Sequence, residues 1–99
     1  MSRPYLYFNA FVLAKGHELV RNVVRKQLRD AGFASDSQAG LWEQFGYNDD
    51  TLAQLTSVPL PDGRTYVQLV TTASTDAPAK HWMQELASRI QNDKSVPFD

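Results

Sequence analysis

The chain has no cysteine, only two histidines, five glycines and five prolines, and a formal net charge of −1 over 99 residues. Each scarcity removes a class of function. Without cysteine there is no disulfide framework, no thiolate metal site and no cysteine nucleophile, and a reducing, cytoplasmic compartment is the expected home. The glycines, Gly16, Gly32, Gly40, Gly46 and Gly63, are scattered along the chain, so they form no phosphate-cradling loop. No serine sits in a nucleophile elbow. His17 lies beside Glu18 and His81 beside Trp82, but neither has a second ligand at helical spacing. Asn48, Asp49, Asp50 and Asp62 bring carboxylates to turns without the spacing of a calcium loop. We therefore expect no metal, no cofactor and no catalytic residue set. An isoelectric point near 6.1 gives no global basic field for nucleic acid. The apolar run from Tyr5 to Ala14 is too short to span a bilayer and lacks the cleavage site of a signal peptide, so no membrane partner is expected.

What the chain does have is a globular composition, 42% hydrophobic and 11% aromatic, which excludes disorder as the default. Residues 1–99 are the size of one domain with one core. Tyr5-Leu-Tyr-Phe-Asn-Ala-Phe-Val-Leu-Ala14 is apolar on both alternating faces, with Asn9 as its polar break. A strand of that kind is expected in the centre of a sheet. Leu19, Val20, Val23, Val24, Leu28 and Ala31 recur three and four apart and predict a helix over His17 to Ala31, closed by Gly32 and Phe33.

Ala34 to Gly40 is small and polar, a loop. Leu41 to Tyr47 carries three aromatics without a clean period, so strand and helical turn both fit. Asn48-Asp49-Asp50 is a turn, and either aspartate could cap a helical turn over Thr51 to Leu55. Leu52, Gln54, Thr56, Val58 and Leu60 also fit one face of a strand, which we place from about Thr56. Pro61-Asp62-Gly63 has the chemistry of a three-residue hairpin loop. Arg64 to Ala73 is rich in β-branched residues and predicts a strand. Thr75 or Asp76 caps a second helix with Pro78 in its first turn. Its apolar stripe is Ala79, Trp82, Met83, Leu86, Ala87 and Ile90. Ser95 to Asp99 could add a short edge strand.

The order β-α-β-β-α(-β) predicts an α+β two-layer sandwich in a ferredoxin-like arrangement, a mainly antiparallel sheet with two helices on one face. That leaves the other face open, yet the first strand has apolar residues for both. The expected contact surface comprises Tyr5, Tyr7 and Tyr66 as open-face aromatics, with Trp42, Phe45 and Tyr47 either binding a partner or folding back as core. Arg21, Arg25 and Arg29 add a four-apart line on the first helix, suited to phosphate or carboxylate unless it is a solvated face.

Leu6-Tyr-Phe-Asn-Ala-Phe11 is similar to the first-strand motif of RNA-recognition-motif domains, and Tyr66-Val-Gln-Leu69 after Gly63 resembles the end of their third-strand motif. The resemblance implies that Tyr7 and Tyr66 stack bases from the open face. The chain departs from that pattern: Asp62 replaces the basic residue before glycine, Arg64 replaces a ring, and the motifs lie further apart than usual.

The function expected is a small non-catalytic macromolecule-binding module, a protein–protein interaction, inhibitory or immunity-type regulatory protein, with a homodimer across the open sheet as one form. Two alternatives stand beside it. One is RNA binding through the sheet tyrosines and helix arginines. The other is a small-molecule binder or enzyme of the dimeric ferredoxin-like type, its pocket lined by Tyr7, Trp42, Tyr66 and His81.

Overall fold

In a computed structural model, residues 4–35 and 42–94 are described. They form β1 (Tyr5–Leu13), α1 (His17–Asp30), β2 (Ala34–Ser35), β3 (Glu43–Tyr47), β4 (Thr51–Pro59), β5 (Thr65–Ala73) and α2 (Asp76–Gln91). The result is the α+β two-layer sandwich expected: an antiparallel sheet with both helices on one face. The ferredoxin-like element order fits in outline, with β3, β4 and β5 running as a meander between the helices. The proposed strand after α2 falls on residues 95–99, outside the described residues.

The spatial order is β1-β5-β4-β3-β2, which puts β1 at an edge and corrects the expectation of a central strand. Its double apolarity has another cause. One row, ending at buried Leu13, lies on the helix side of the sheet. The other row, Leu6, Phe8, Ala10 and Val12, lies on the side that neither α1 nor α2 covers. Apolarity on two faces therefore signals two surfaces to cover, which an edge strand can also have.

The turns follow from local chemistry. Leu60 N–H donates to Arg64 O at 2.8 Å across the Pro61-Asp62-Gly63 loop, the three-residue hairpin expected. Between β3 and β4 the turn is built on Asn48, whose Oδ1 accepts the N–H groups of Asp50 (3.1 Å) and Thr51 (2.8 Å). That side-chain mimic of a backbone turn starts β4 at Thr51, five residues before the position expected, and leaves no helical turn over Thr51 to Leu55. At the end of α1, Phe33 N–H donates to Leu28 O (2.9 Å) and Gly32 N–H to Arg29 O (3.0 Å), with Gly32 at φ +88°. This left-handed closure drives Phe33 into the core, where its ring meets Trp82 of α2 edge-on at 4.9 Å.

The core lies between helices and sheet. Val20, Val23, Val24 and Leu28 of α1 and Leu86, Ala87 and Ile90 of α2 pack on Ala53, Leu55, Val67 and Leu69. Asp93, just past α2, ties the helices together. Its carboxylate accepts from Gln27 Nε2 at 2.7 Å and lies 3.8 Å from Lys26 Nζ, and its carbonyl accepts from Lys15 Nζ.

Candidate functional site: the uncovered sheet face

Pairing register assigns every strand residue to a face. Leu69 pairs with Asn9 on one side and Leu55 on the other, so odd-numbered residues of β1, β4 and β5 share the helix face. Even-numbered residues of these strands, with Glu43, Phe45 and Tyr47 of β3, make the uncovered face. They form cross-strand rows. Tyr47, Leu52, Thr72 and Leu6 make the first, and Phe45, Gln54, Val70 and Phe8 the second. A more polar band of Glu43, Thr56, Gln68 and Ala10 follows, then Val58, Tyr66 and Val12.

Two properties set this face apart. Leu6, Phe8, Tyr47 and Leu52 are 61, 54, 52 and 47% exposed, and they lie together at one end of the face. Glu43 is its one charged side chain among the described residues. A nine-residue strand at about 3.3 Å per residue is roughly 30 Å long, and four strands about 4.8 Å apart span some 15 Å. The projected area is therefore on the order of 450 Å². That is an upper bound for the whole face, with Glu43, Gln54, Thr56, Gln68 and Thr72 included, and the apolar surface is concentrated in its first two rows.

The structure separates the residues singled out from sequence. Tyr66, Phe45 and Tyr47 lie on the uncovered face. Tyr5 and Tyr7 do not: they pair with Ala73 and Thr71 on the helix side, and the Tyr7 hydroxyl donates to Asp76 at the start of α2. That hydrogen bond holds the Tyr7 phenol above its usual pKa. Tyr7 and Tyr66 therefore cannot form one stacking platform, nor can Tyr7, Tyr66, Trp42 and His81 line one pocket. His81 is exposed on α2, its ring edge-on to Trp82 at 4.8 Å. Trp42 precedes β3, 46% exposed, with its carbonyl accepting Ser57 N–H at 2.8 Å. Phe45 and Tyr47 do not fold back over the open face; as β3 they are part of it.

The arginines lie in the helical layer, and they are not alike. Arg25 is exposed, Arg29 pairs with Asp30 at 3.6 Å, and Arg21 is half-buried with its Nε sealed from solvent and unbonded. Gln44 Oε1 and Ser57 Oγ are also buried without partners, while His17 Nε2 lies 2.9 Å from Ser57 O. Among the described residues, no three His, Asp or Glu side chains gather to hold a metal ion.

Sequence reasoning missed Leu6, Phe8, Val12, Leu52, Val58 and Val70 as surface residues. For Leu52, Val58 and Val70 the signal was present in the alternation of β4 and β5 once the Pro61-Asp62-Gly63 loop fixes their register; for Leu6, Phe8 and Val12 it needed the pairing of β1 with β5. No helix of the described residues is long and apolar enough to cross a membrane. Compared with known proteins, the chain matches no family model and no curated sequence.

Proposed function

We propose that this chain is a non-catalytic protein-interaction module, of regulatory or inhibitory type, whose uncovered sheet face is the recognition surface. The observation that carries this reading is the apolar corner formed by Leu6, Phe8, Phe45, Tyr47 and Leu52 on a face with a single charge. Covering it releases ordered water from large side chains, at about 25 cal/mol per Å² of apolar surface before the costs of association. Thr72 and Gln54 lie within the two apolar rows, and the Glu43, Thr56 and Gln68 band borders them, a mixture of aromatic, aliphatic and uncharged polar groups of the kind found in protein interfaces. A face so poor in charge suits a protein better than a polyphosphate. Absence of cysteine supports a cytoplasmic setting for this partner.

The test is affinity capture from host extract with wild type, Tyr47→Lys and Arg25→Glu, each with and without nuclease. A stoichiometric protein that survives nuclease and Arg25→Glu but is lost with Tyr47→Lys supports the face as its site. Capture that vanishes with nuclease, or with Arg25→Glu alone, moves the function to nucleic acid and to α1.

A further inference from the structure

The outer edge of β1 borders the uncovered face, shares the Leu6, Phe8, Ala10 and Val12 side chains with it, and adds a row of backbone groups whose direction follows from the pairing. Ser57 N–H donates to Trp42 O, so odd-numbered residues of β4 direct their backbone groups toward β3 and even-numbered ones toward β5. Leu60 N–H to Arg64 O agrees with that parity. Carried through β5 by the register, it leaves the N–H and C=O groups of Leu6, Phe8, Ala10 and Val12 pointing away from the sheet. Ala10 N–H is accordingly donated to the neighbouring side chain, Asn9 Oδ1, at 2.8 Å. No described strand pairs with this edge.

Free edges are usually blunted by lysine, by an internal proline, by a bulge or by shortness. β1 runs nine residues, pairs with β5 in unbroken register, and contains neither a charge nor a proline. Among the described residues, four of the seven exposed large hydrophobics, Tyr5, Leu6, Phe8 and Val12, lie on it. Strand addition there requires the Ala10 N–H to exchange Asn9 Oδ1 for a strand carbonyl; the other outward groups of the edge have no described strand beside them.

We propose that β1 pairs antiparallel with β1 of a second copy about a two-fold axis through Asn9, joining two sheets into one. Of the axes that keep the outward positions opposite one another, the one at Asn9 overlaps all nine residues of both strands, and the side chains are compatible with it. A two-fold at Asn9, the centre of the strand, sets the outward-facing Phe8 against Ala10 of the other copy and Leu6 against Val12, large beside small in both cases. On the helix side it sets Tyr7 against Phe11, and the two Asn9 amides meet each other. No like charges oppose one another. The outward positions 6, 8, 10 and 12 face only one another, as hydrogen-bonded antiparallel pairs require. An isologous contact of this kind closes on itself and so consumes the edge without propagating. It does not depend on what the uncovered face binds, and it would place two such faces side by side.

The experiment is sedimentation equilibrium of the full chain at up to about 100 μM, a range that detects micromolar pairing. The expected species has twice the 11.2 kDa chain mass. Phe8→Lys, and Ala10→Pro, which removes an outward N–H without touching the ladder to β5, each weaken pairing at least about tenfold, whereas Tyr47→Lys leaves it unchanged. Should Ala10→Pro fail to fold, amide exchange decides: Leu6, Phe8 and Val12 amides become protected as concentration rises. Because the chain lacks cysteine, Asn9→Cys should close a symmetric disulfide under mild oxidation. Tyr5→Cys should not, its two copies lying about 27 Å apart in this register. A monomer across the whole range, a dimer lost with Tyr47→Lys but indifferent to Phe8→Lys, or a dimer in which Tyr5→Cys cross-links and Asn9→Cys does not would each overturn the proposal.

Discussion

The two faces of this sheet come from the same strands but face different surroundings. The helix face carries Ala53, Leu55, Val67 and Leu69, all fully buried, and also Thr65, Thr71 and Ser57, equally buried. The uncovered face carries Leu6, Phe8, Tyr47 and Leu52, about half-exposed. The covered face is thus the one richer in small hydroxyls, and the open face holds larger apolar groups. Hydrogen bonding keeps the two threonine hydroxyls inside: Thr71 Oγ1 donates to Ala79 O (2.7 Å) and Thr65 Oγ1 to Lys15 O (2.8 Å), fastening helix and loop to β5, whereas Ser57 Oγ is buried without a partner. What leaves apolar groups outside is the lack of any element in the described residues to cover them. Hydrophobicity alone did not decide which face is inside; the two helical stripes did.

That comparison can be broken most severely within β5. Leu69→Ala should cost about 2–5 kcal/mol, because the helices above it relax only partly into the cavity, while Val70→Ala on the other face should cost less than about 1.5 kcal/mol. Urea unfolding of both variants measures the difference. Equal losses would mean that the second face is a core as well.

A smaller effect is expected at Gly46, where β3 meets the end of α1. A Cβ there would lie 3.1 Å from Leu28 Cδ2 and 3.2 Å from Phe33 Cβ, both buried. Gly46→Ala should therefore cost about 1–3 kcal/mol by overpacking, seen as a lower urea midpoint with unchanged slope.

The smallest effects are electrostatic and exposed. The Tyr7 phenol, donating to Asp76, keeps its proton above pH 10, so the folded form binds it more tightly than the unfolded chain. The stability it contributes is fully present below about pH 10 and is lost as pH rises through the folded value. The gap in urea midpoint between wild type and Tyr7→Phe should narrow across that alkaline range. Asp62, held below its ordinary range by Arg64 N–H and guanidinium, has the opposite sign. Its contribution is present above about pH 4 and disappears on acidification, detectable as a small acid-side difference from Asp62→Asn.

Much of the fold was legible because local signals agreed. The stripes of α1 and α2, the Gly32–Phe33 closure and the Pro61-Asp62-Gly63 hairpin each needed only neighbouring residues. The place of β1 was not legible, because apolarity on both faces describes a central strand and an edge strand with an uncovered side equally well. The start of β4 was hidden in Asn48, whose side chain makes the turn that the spacing Asn-Asp-Asp also allows as a helix cap. The candidate site was half legible. Phe45, Tyr47 and Tyr66 were found by their type, but Tyr5 and Tyr7 were placed on the wrong face, since parity within β1 means nothing until its register with β5 is known.

The most direct test of a sheet with one face for folding and one for binding uses two leucines of β4. Leu55 is fully buried toward the helices, and Leu52, three residues earlier, is 47% exposed on the other face. Lysine is introduced at each, and urea unfolding is measured together with partner capture. Leu55→Lys should unfold the chain, whereas Leu52→Lys should keep stability within about 1 kcal/mol and lose the partner. A Leu52→Lys variant as unstable as Leu55→Lys, or one that binds as wild type does, would contradict the division between the faces.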